Sequence, residues 1–347
     1  MEEMMSLSHR QLSRRQFAAA AAAGTAALAM PGIGRAQATL VLKFSHVVTN
    51  DTPKGKGALK FQELADKYSA GKVKIEVYPN STLYKDKEEL EALQLGAVHL
   101  LAPATGKFAP LGVKEFEVLD LPYIFPDQAT YEKVVAGPVG KELLGKLEAQ
   151  NVKGLAFWDN GFYMASANKP LRKPGDFQGL KIRISGSKVA DATFRKMGAL
   201  PQILAFSELY QALQTGVVDG CENTPSNYLT QKLHEVQKHI TLANHGHLQY
   251  AVIANAKQWN GMAPDIRAAL DKAMVDASVY ANSIAQKENA DALAEIKKSG
   301  ASTVYELTKD EQKVWIDTLL PLHKTMEGRI GKEIIALMHK EAGFNMN

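Results

Sequence analysis

The sequence holds one cysteine, Cys221. A single thiol closes no internal disulfide and builds no thiolate cage for a metal, so stability must come from the size of the core. Aromatic residues make up only 7% of the chain. Long apolar runs are missing too. The stretch from Phe17 to Ile33 is mostly alanine, carries Gly24, Pro31 and Gly32, and falls short of the ~20 strongly apolar residues a membrane span takes. Charge is nearly balanced, with 41 basic against 37 acidic side chains and a net +4. No basic cluster with interleaved aromatics appears, so no nucleic-acid partner is expected. The common catalytic and cofactor signatures are absent as well. There is no H-E-x-x-H and no G-x-S-x-G elbow. Gly55-Lys56-Gly57 lacks the third glycine and the acidic residue of a dinucleotide loop. Thr105-Gly106-Lys107 lacks the earlier glycine of a phosphate loop and is followed by Phe108 instead of a hydroxyl residue. His245 and His247 can share a strand face, but two histidines without a third ligand do not make a metal site. No metal and no cofactor is expected.

What is present begins with Ser13-Arg14-Arg15-Gln16-Phe17, an alanine-rich run and the small-residue exit Ala36-Gln37-Ala38. Two arginines before a weakly apolar run read as a twin-arginine export signal over residues 1–38. The mature chain is expected to start near Thr39 and to work in the periplasm as a soluble monomer without membrane insertion. Its length exceeds the ~250–300 residues at which one core stops growing, so two domains are expected.

The mature part alternates strands and helices. Leu40 to Phe44 reads as a strand, Ala58 to Tyr68 as a helix with apolar residues at three- and four-residue spacing, and Val73 to Val77 as a strand. A helix near Lys87 to Leu95 and a strand at Val98 to Leu101 follow. This alternation predicts a mainly parallel sheet covered by helices, with ligand at the carboxyl ends of the strands. The loops that start at Ser45, Tyr78 and Ala102 then form one rim. A second set comprises a strand at Leu180 to Ile184, helices at Lys188 to Met197 and Ser207 to Thr215, and a strand at Val217 to Asp219. Ser207 is placed to cap its helix. His247 to Asn255 reads as a long strand recrossing between lobes. A long helix runs from Pro264 to about Lys298 on a stripe of Ile266, Leu270, Met274, Ala277, Tyr280 and Ile284, and a bent helical region runs from Asp310 to about Lys340.

Arg183 is the strongest candidate for chemistry. In Leu180-Lys181-Ile182-Arg183-Ile184 the apolar residues alternate with the basic ones, and a charge near the carboxyl end of a parallel strand belongs in a cleft. Its planar guanidinium can hold both oxygens of a carboxylate. Asn223, after Asp219-Gly220-Cys221-Glu222, can donate and accept at a fixed point. Phe206, before Ser207-Glu208, can wall the cleft or belong to the core.

Longer stretches carry a resemblance. KFSHVV, KIEVYPNSTLYKDKEELEALQLGAVHL, FEVLDLPYIF, WDNGF, GLKIRISGSK, AFSELYQALQTGVVDGCENTPSNYLTQKLHEVQKHI and WNGMAPDIR follow one another in order. With them the sequence resembles the extracytoplasmic solute-binding proteins of TRAP transporters, of the C4-dicarboxylate-binding DctP type, over nearly all of residues 39–340. The resemblance implies an α/β fold of two lobes, each a mainly parallel sheet flanked by helices, with crossing hinge strands and a long helix along both. It implies lobes of residues 39–160 with 249–288 and of 161–248 with 289–325, then a C-terminal helical segment, 326–347. It places the family's carboxylate-binding arginine on Arg183, its asparagine on Asn223 and its aromatic on Phe206. Tyr163 stands where many members carry a basic residue, so the partner of a second carboxylate is left open.

The expected function is capture of a small organic acid, best a C4-dicarboxylate, for delivery to TRAP membrane permease subunits. Arg183, Asn223 and Phe206 form the expected core of the site, with His46, Lys85, Thr105, Tyr163, Tyr228 and His247 around its rim. A sugar acid, aromatic acid or other monocarboxylate is the alternative ligand. The alternative class is a secreted hydrolase or lyase using Glu208, Glu222 and His247. Catalysis is not expected.

Overall fold

A computed structural model describes residues 39–344. The twin-arginine segment expected over 1–38 lies outside the described residues. Eleven strands fall into two sheets among those described. In chain order they are β1 (Leu40–Ser45), β2 (Val73–Tyr78), β3 (Leu100–Leu101), β4 (Val152–Phe162), β5 (Met164–Ala167), β6 (Lys181–Ile184), β7 (Leu200–Ile203), β8 (Gly220–Asn223), β9 (His239–Leu242), β10 (His247–Asn255) and β11 (Thr303–Glu306). The first sheet has the order β2-β1-β3-β10-β4 and the second β11-β9-β5-β8-β6-β7.

Both sheets are mixed. β1 runs parallel to β2 and β3, and β6 parallel to β7 and β8. The antiparallel ladders come from strands that cross between the sheets. β4 of the first sheet passes through the single residue Tyr163 into β5 of the second, and β9 returns through Ala243–Gly246 into β10. The two crossings are tied where they meet, by the Tyr163 N–H to the Gly246 carbonyl at 2.9 Å. Nine register pairs then zip β10 against β4.

The halves reuse one segment. Ala92-Leu93-Gln94-Leu95-Gly96-Ala97-Val98 and Ala212-Leu213-Gln214-Thr215-Gly216-Val217-Val218 share Ala-Leu-Gln, the glycine and the final valine. Each ends a short helix (Glu89–Gln94 and Leu209–Gln214) with glycine at positive φ, 77° and 73°, a conformation L side chains avoid. In both, the valine N–H returns to the alanine carbonyl before the chain enters a central strand, β3 or β8. Three sequence expectations change here. Val217–Asp219 is the turn and not the strand, because the Asp219 carboxylate is used to accept the Lys181 N–H at 2.8 Å. Ser207 makes no cap bond, since a 3₁₀ turn, Phe206–Glu208, feeds the helix directly. The strand expected over Val98–Leu101 shrinks to Leu100–Leu101.

The 36-residue helix Pro264–Ser299 lies along both halves. Trp158 on β4 donates to Ser278 at 2.8 Å, while farther along Asn289 accepts the Ser226 N–H at 3.0 Å. Its stripe differs from the expected one after Ala277. Tyr280 is exposed, and Ala281, Ala285, Asn289 and Ala292 are buried instead. Small side chains let the helix axis approach the sheet closely, which a tyrosine and an isoleucine would prevent. The C-terminal region is broken into helices Lys309–Leu319, Pro321–Thr325, Glu327–Ile330 and Lys332–Ala342.

Candidate functional site

Segments at the carboxyl ends of the sheet strands converge on one cavity with about 410 Å³ of empty space, part of it open to solvent. From the first half come Val47 and Val48 after β1, Asp86 after β2, and Ala104 and Lys107 after β3. From the second come Arg183 and Ser185 of β6 and its exit, Phe206 after β7, and Glu222 and Asn223 of β8. Tyr163, Leu248 and Tyr250 come from the crossing strands.

Arg183 is 4% exposed. Its Nε and Nη2 donate to the Leu204 carbonyl at 3.1 and 2.9 Å, which fixes the guanidinium plane, and its carbon lies 5.7 Å from the centre of the Phe206 ring. Among the described residues it joins no ion pair. Asn223 is oriented in the same way. Its Oδ1 accepts from the Thr224 N–H at 2.9 Å and from Asn227 Nδ2 at 3.2 Å, so its own amide N–H groups are left for the cavity. Asn227 also donates to the Tyr250 hydroxyl at 2.9 Å, which leaves that hydroxyl's proton available. The Tyr163 hydroxyl has no partner among the described residues.

The carboxylates, by contrast, are occupied. Asp86 pairs with Lys107 and accepts the Phe206 N–H at 2.8 Å. Burial would raise its pKa, but Lys107 and Arg183 outweigh that and hold it well below the usual carboxylate range. Lys107 also lies 3.2 Å from buried Glu89. Burial works to lower its pKa, and the two carboxylates together hold it above the ordinary lysine value. Glu222 pairs with His245 at 2.9 Å. Lys54 is buried with its ammonium 3.7 Å from the centre of the Tyr250 ring and 3.1 Å from the Ala102 carbonyl. Desolvation, helped by Lys107, brings it down to about 7.

The expected residues divide. Arg183, Asn223, Phe206 and Tyr163 line this cavity together. Thr105 lines a second one behind it, where it accepts from Gln249 at 2.6 Å. His46 is fully buried beside Phe44, and burial and then Lys54 lower it to about 3, so its ring is neutral. Lys85 is half exposed, bonded to Glu208 at 2.9 Å, and does not line the cavity. Tyr228 packs in the core with Met164 and Cys221. His247 faces away from the cavity because side chains alternate along β10. Leu248 and Tyr250 face in, while His247 stacks on Tyr131 and lies 3.1 Å from Asp159. Glu208, Glu222 and His247 are therefore not gathered as a catalytic group.

Sequence reasoning passed over Lys54, Asp86, Lys107, Asn227 and Tyr250. Lys107 sits in the failed phosphate-loop triplet and Lys54 immediately before Gly55-Lys56-Gly57. Their only signal was a basic residue following the first or third strand.

Comparison with known proteins agrees with this geometry. Residues 44–329 match the family model DctP, bacterial extracellular solute-binding protein, family 7. The C4-dicarboxylate-binding periplasmic protein DctP of Rhodobacter capsulatus is 57% identical over 327 residues, covering 94% of this chain and 97% of that one. A TRAP periplasmic solute-binding protein from Shewanella oneidensis, with bound succinate, superposes with TM-score 0.86 at 37% identity, over 88% of this chain and all of that one. The sugar acid binding protein of Advenella mimigardefordensis, in complex with galactonate, superposes with TM-score 0.85 at 30% identity, over 88% of this chain and 98% of that one.

Proposed function

Because the chain belongs to bacterial extracellular solute-binding protein family 7, we propose that it captures a small organic acid in the periplasm and delivers it to a TRAP-type sodium-coupled permease. A C4-dicarboxylate (succinate, malate or fumarate) is the ligand class the site fits best. Near-equal superposition on a succinate binder and a galactonate binder leaves ligand choice to the side chains.

One observation carries the reading. The carboxylates facing the cavity are already paired, whereas Arg183, the amide N–H groups of Asn223 and the hydroxyls of Tyr163 and Tyr250 are donors without a ligand-side acceptor. Such a set recognises an anion. Asp86 and Glu89 pair with Lys107, and Glu222 pairs with His245, whereas Arg183 joins no ion pair among the described residues and is the cation left for an anion. Arg183 takes one carboxylate through its remaining edge, with Asn223 setting its orientation and Phe206 walling it. The second carboxylate falls to the Tyr163 hydroxyl with the field of Lys54 and Lys107. No bond is made or broken.

The halves close on each other as hinged bodies, residues 39–160 with 249–288 against 161–248 with 289–325, pivoting at the crossings around Tyr163 and Gly246. The protein acts as a monomer, reaching the periplasm by the twin-arginine route. No helix among the described residues is long and apolar enough to cross a membrane. A thermal-shift screen across succinate, malate, fumarate, sugar acids and aromatic monocarboxylates tests the ligand. A hundredfold excess over Kd contributes about 2.7 kcal/mol. Shifts with sugar or aromatic acids and none with C4 diacids would remove the dicarboxylate assignment, while product formation would remove the binding-protein reading.

A further inference from the structure

Beside the first cavity lies a second, with about 430 Å³ of empty space that is partly open to solvent, and the wall between them is Ala104, Tyr163, Ser185, Glu222 and Leu248, of which Tyr163 is the largest side chain. Besides Ser185 and Glu222, which the second cavity shares with the front one, its polar lining is Thr105, Asp120, Ser187, Thr193 and His245, with no lysine or arginine. This chemistry differs from that of the front cavity. Asp120 is half-buried, and desolvation raises it to about 7, so below neutrality it keeps its proton and donates. Thr105, Ser187 and Thr193 each donate and accept. His245 is 2% exposed and binds Glu222 through Nε2, while its Nδ1 has no partner among the described residues. A chamber without a lysine or arginine does not offset the cost of burying a carboxylate, but it matches hydroxyl groups, which need both a donor and an acceptor nearby.

Tyr163 is held firmly in this position. It is the single residue between β4 and β5, and its N–H is bonded to Gly246 at 2.9 Å. A Cβ on Gly246 would come within 3.2 Å of the tyrosine ring, so the ring lies against a glycine that leaves it room. On the far side its centre is 6.0 Å from that of His245. A ring so placed has little freedom to swing aside.

We infer that Tyr163 is the partition that sets ligand length, and that the chamber behind it is a subsite for a neutral, hydroxylated tail, as in a sugar acid, which opens when this side chain is shortened. The inference rests on the organic-acid reading of the front cavity, with Arg183 holding the acid end of either ligand.

Calorimetry with succinate and with galactonate, a six-carbon acid bearing hydroxyls along its chain, tests it on the wild type, Tyr163→Ala and the double variant Tyr163→Ala with Ala190→Leu. Ala190 lines the rear chamber alone, and leucine there fills it. Tyr163→Ala is expected to weaken succinate and tighten galactonate at least tenfold, reversing the preference, and Ala190→Leu is expected to cancel the galactonate gain. Loss of structure weakens both ligands and cannot produce that crossing. Should the alanine variant not fold, Tyr163→Leu is read by the same criterion. A folded shortened variant whose galactonate affinity rises less than twofold overturns the partition, as does a gain that Ala190→Leu leaves intact. Failure of the wild type to bind any C4 diacid bears instead on the ligand assignment, because the gain of galactonate binding is measured independently of it.

Discussion

Replacing Arg183 by alanine is the sharpest test of the front cavity. The guanidinium is set in place before any ligand arrives, since two of its nitrogens hold the Leu204 carbonyl at 3.1 and 2.9 Å. Binding therefore costs little side-chain ordering at this residue, and a charge-assisted pair made here keeps most of its value. Removing it leaves the ligand carboxylate desolvated without its counter-charge, which costs about 2–4 kcal/mol. On the tenfold-per-1.4 kcal/mol scale, that raises Kd roughly 30- to 700-fold. Arg183→Lys should fall between, at about 1–2 kcal/mol, because an ammonium keeps the charge but cannot serve the Leu204 carbonyl and two carboxylate oxygens in one plane. Isothermal titration with succinate near pH 7 measures all three proteins, and thermal unfolding without ligand separates loss of binding from loss of fold. An alanine variant that is folded and binds within threefold of wild type would refute the clamp.

Gly106 follows β3 of the first sheet, and a Cβ there would lie 2.5 Å from Ser187 Cβ, beyond β6 of the second. Gly106→Ala is therefore expected to hold the halves apart: scattering with saturating succinate should show no decrease in radius of gyration, unlike wild type, and an equal compaction would refute the contact. Affinity for a dianion is expected to fall as pH rises through 7, because Lys54, lowered to about 7, loses its proton there while Asp120, raised to about 7, gains a negative charge. Titrations at pH 8 in buffers of different ionisation enthalpy should register proton uptake on binding, and a Kd constant between pH 6 and 8.5 would exclude this role for Lys54. Lys85→Ala should change Kd less than threefold, since its pair with Glu208 is half exposed and solvent screens it; a tenfold loss would move Lys85 into the site.

Much of the architecture was legible because it rests on local rules. The 2.0 and 3.6 periodicities located β1, β2, β6 and the long helix, and Pro264 marked the first turn of that helix. A link between the halves was expected near Asn160, but the residue pattern did not reveal the two strands that make it, β4 and β5, because the chain switches sheets through the single residue Tyr163. The long helix's buried face misled for a related reason: its second half packs through alanines, and a stripe search weighted toward large apolar residues follows Tyr280 outward. At the site, Arg183 and Asn223 were readable from the strands that carry them. Lys54 and Lys107 were not, because a lysine beside glycine in a loop reads as solvated, and only tertiary burial makes it a buried charge. Asp86 shows the same limit from the acidic side, as its meaning comes from residues far along the chain, Lys107, Arg183 and the Phe206 amide.

Asp86 also bears on how the proposed closure would be joined to recognition. It enters from the first half and accepts the Phe206 N–H of the second, so the protein's own carboxylate already spans the cleft. Beside it Arg183 and Lys107 stand as cations that would repel one another if no anion lay nearby. An open cleft bathes these groups in water of high dielectric, where the repulsion is weak. Bringing the halves together strips that water and strengthens every charge term at once. Asp86 and Glu89 both pair with Lys107, and Arg183, which joins no ion pair among the described residues, calls for an anion. A ligand carboxylate on Arg183 supplies it only when both halves are in place, because its neighbours come from each of them. Binding energy for the acid is in this way realised mainly in the closed state, and a ligand can shift the hinge only by its preference for that state. A neutral analogue of the same size, lacking the charge, would gain little from closure and leave the hinge where it was.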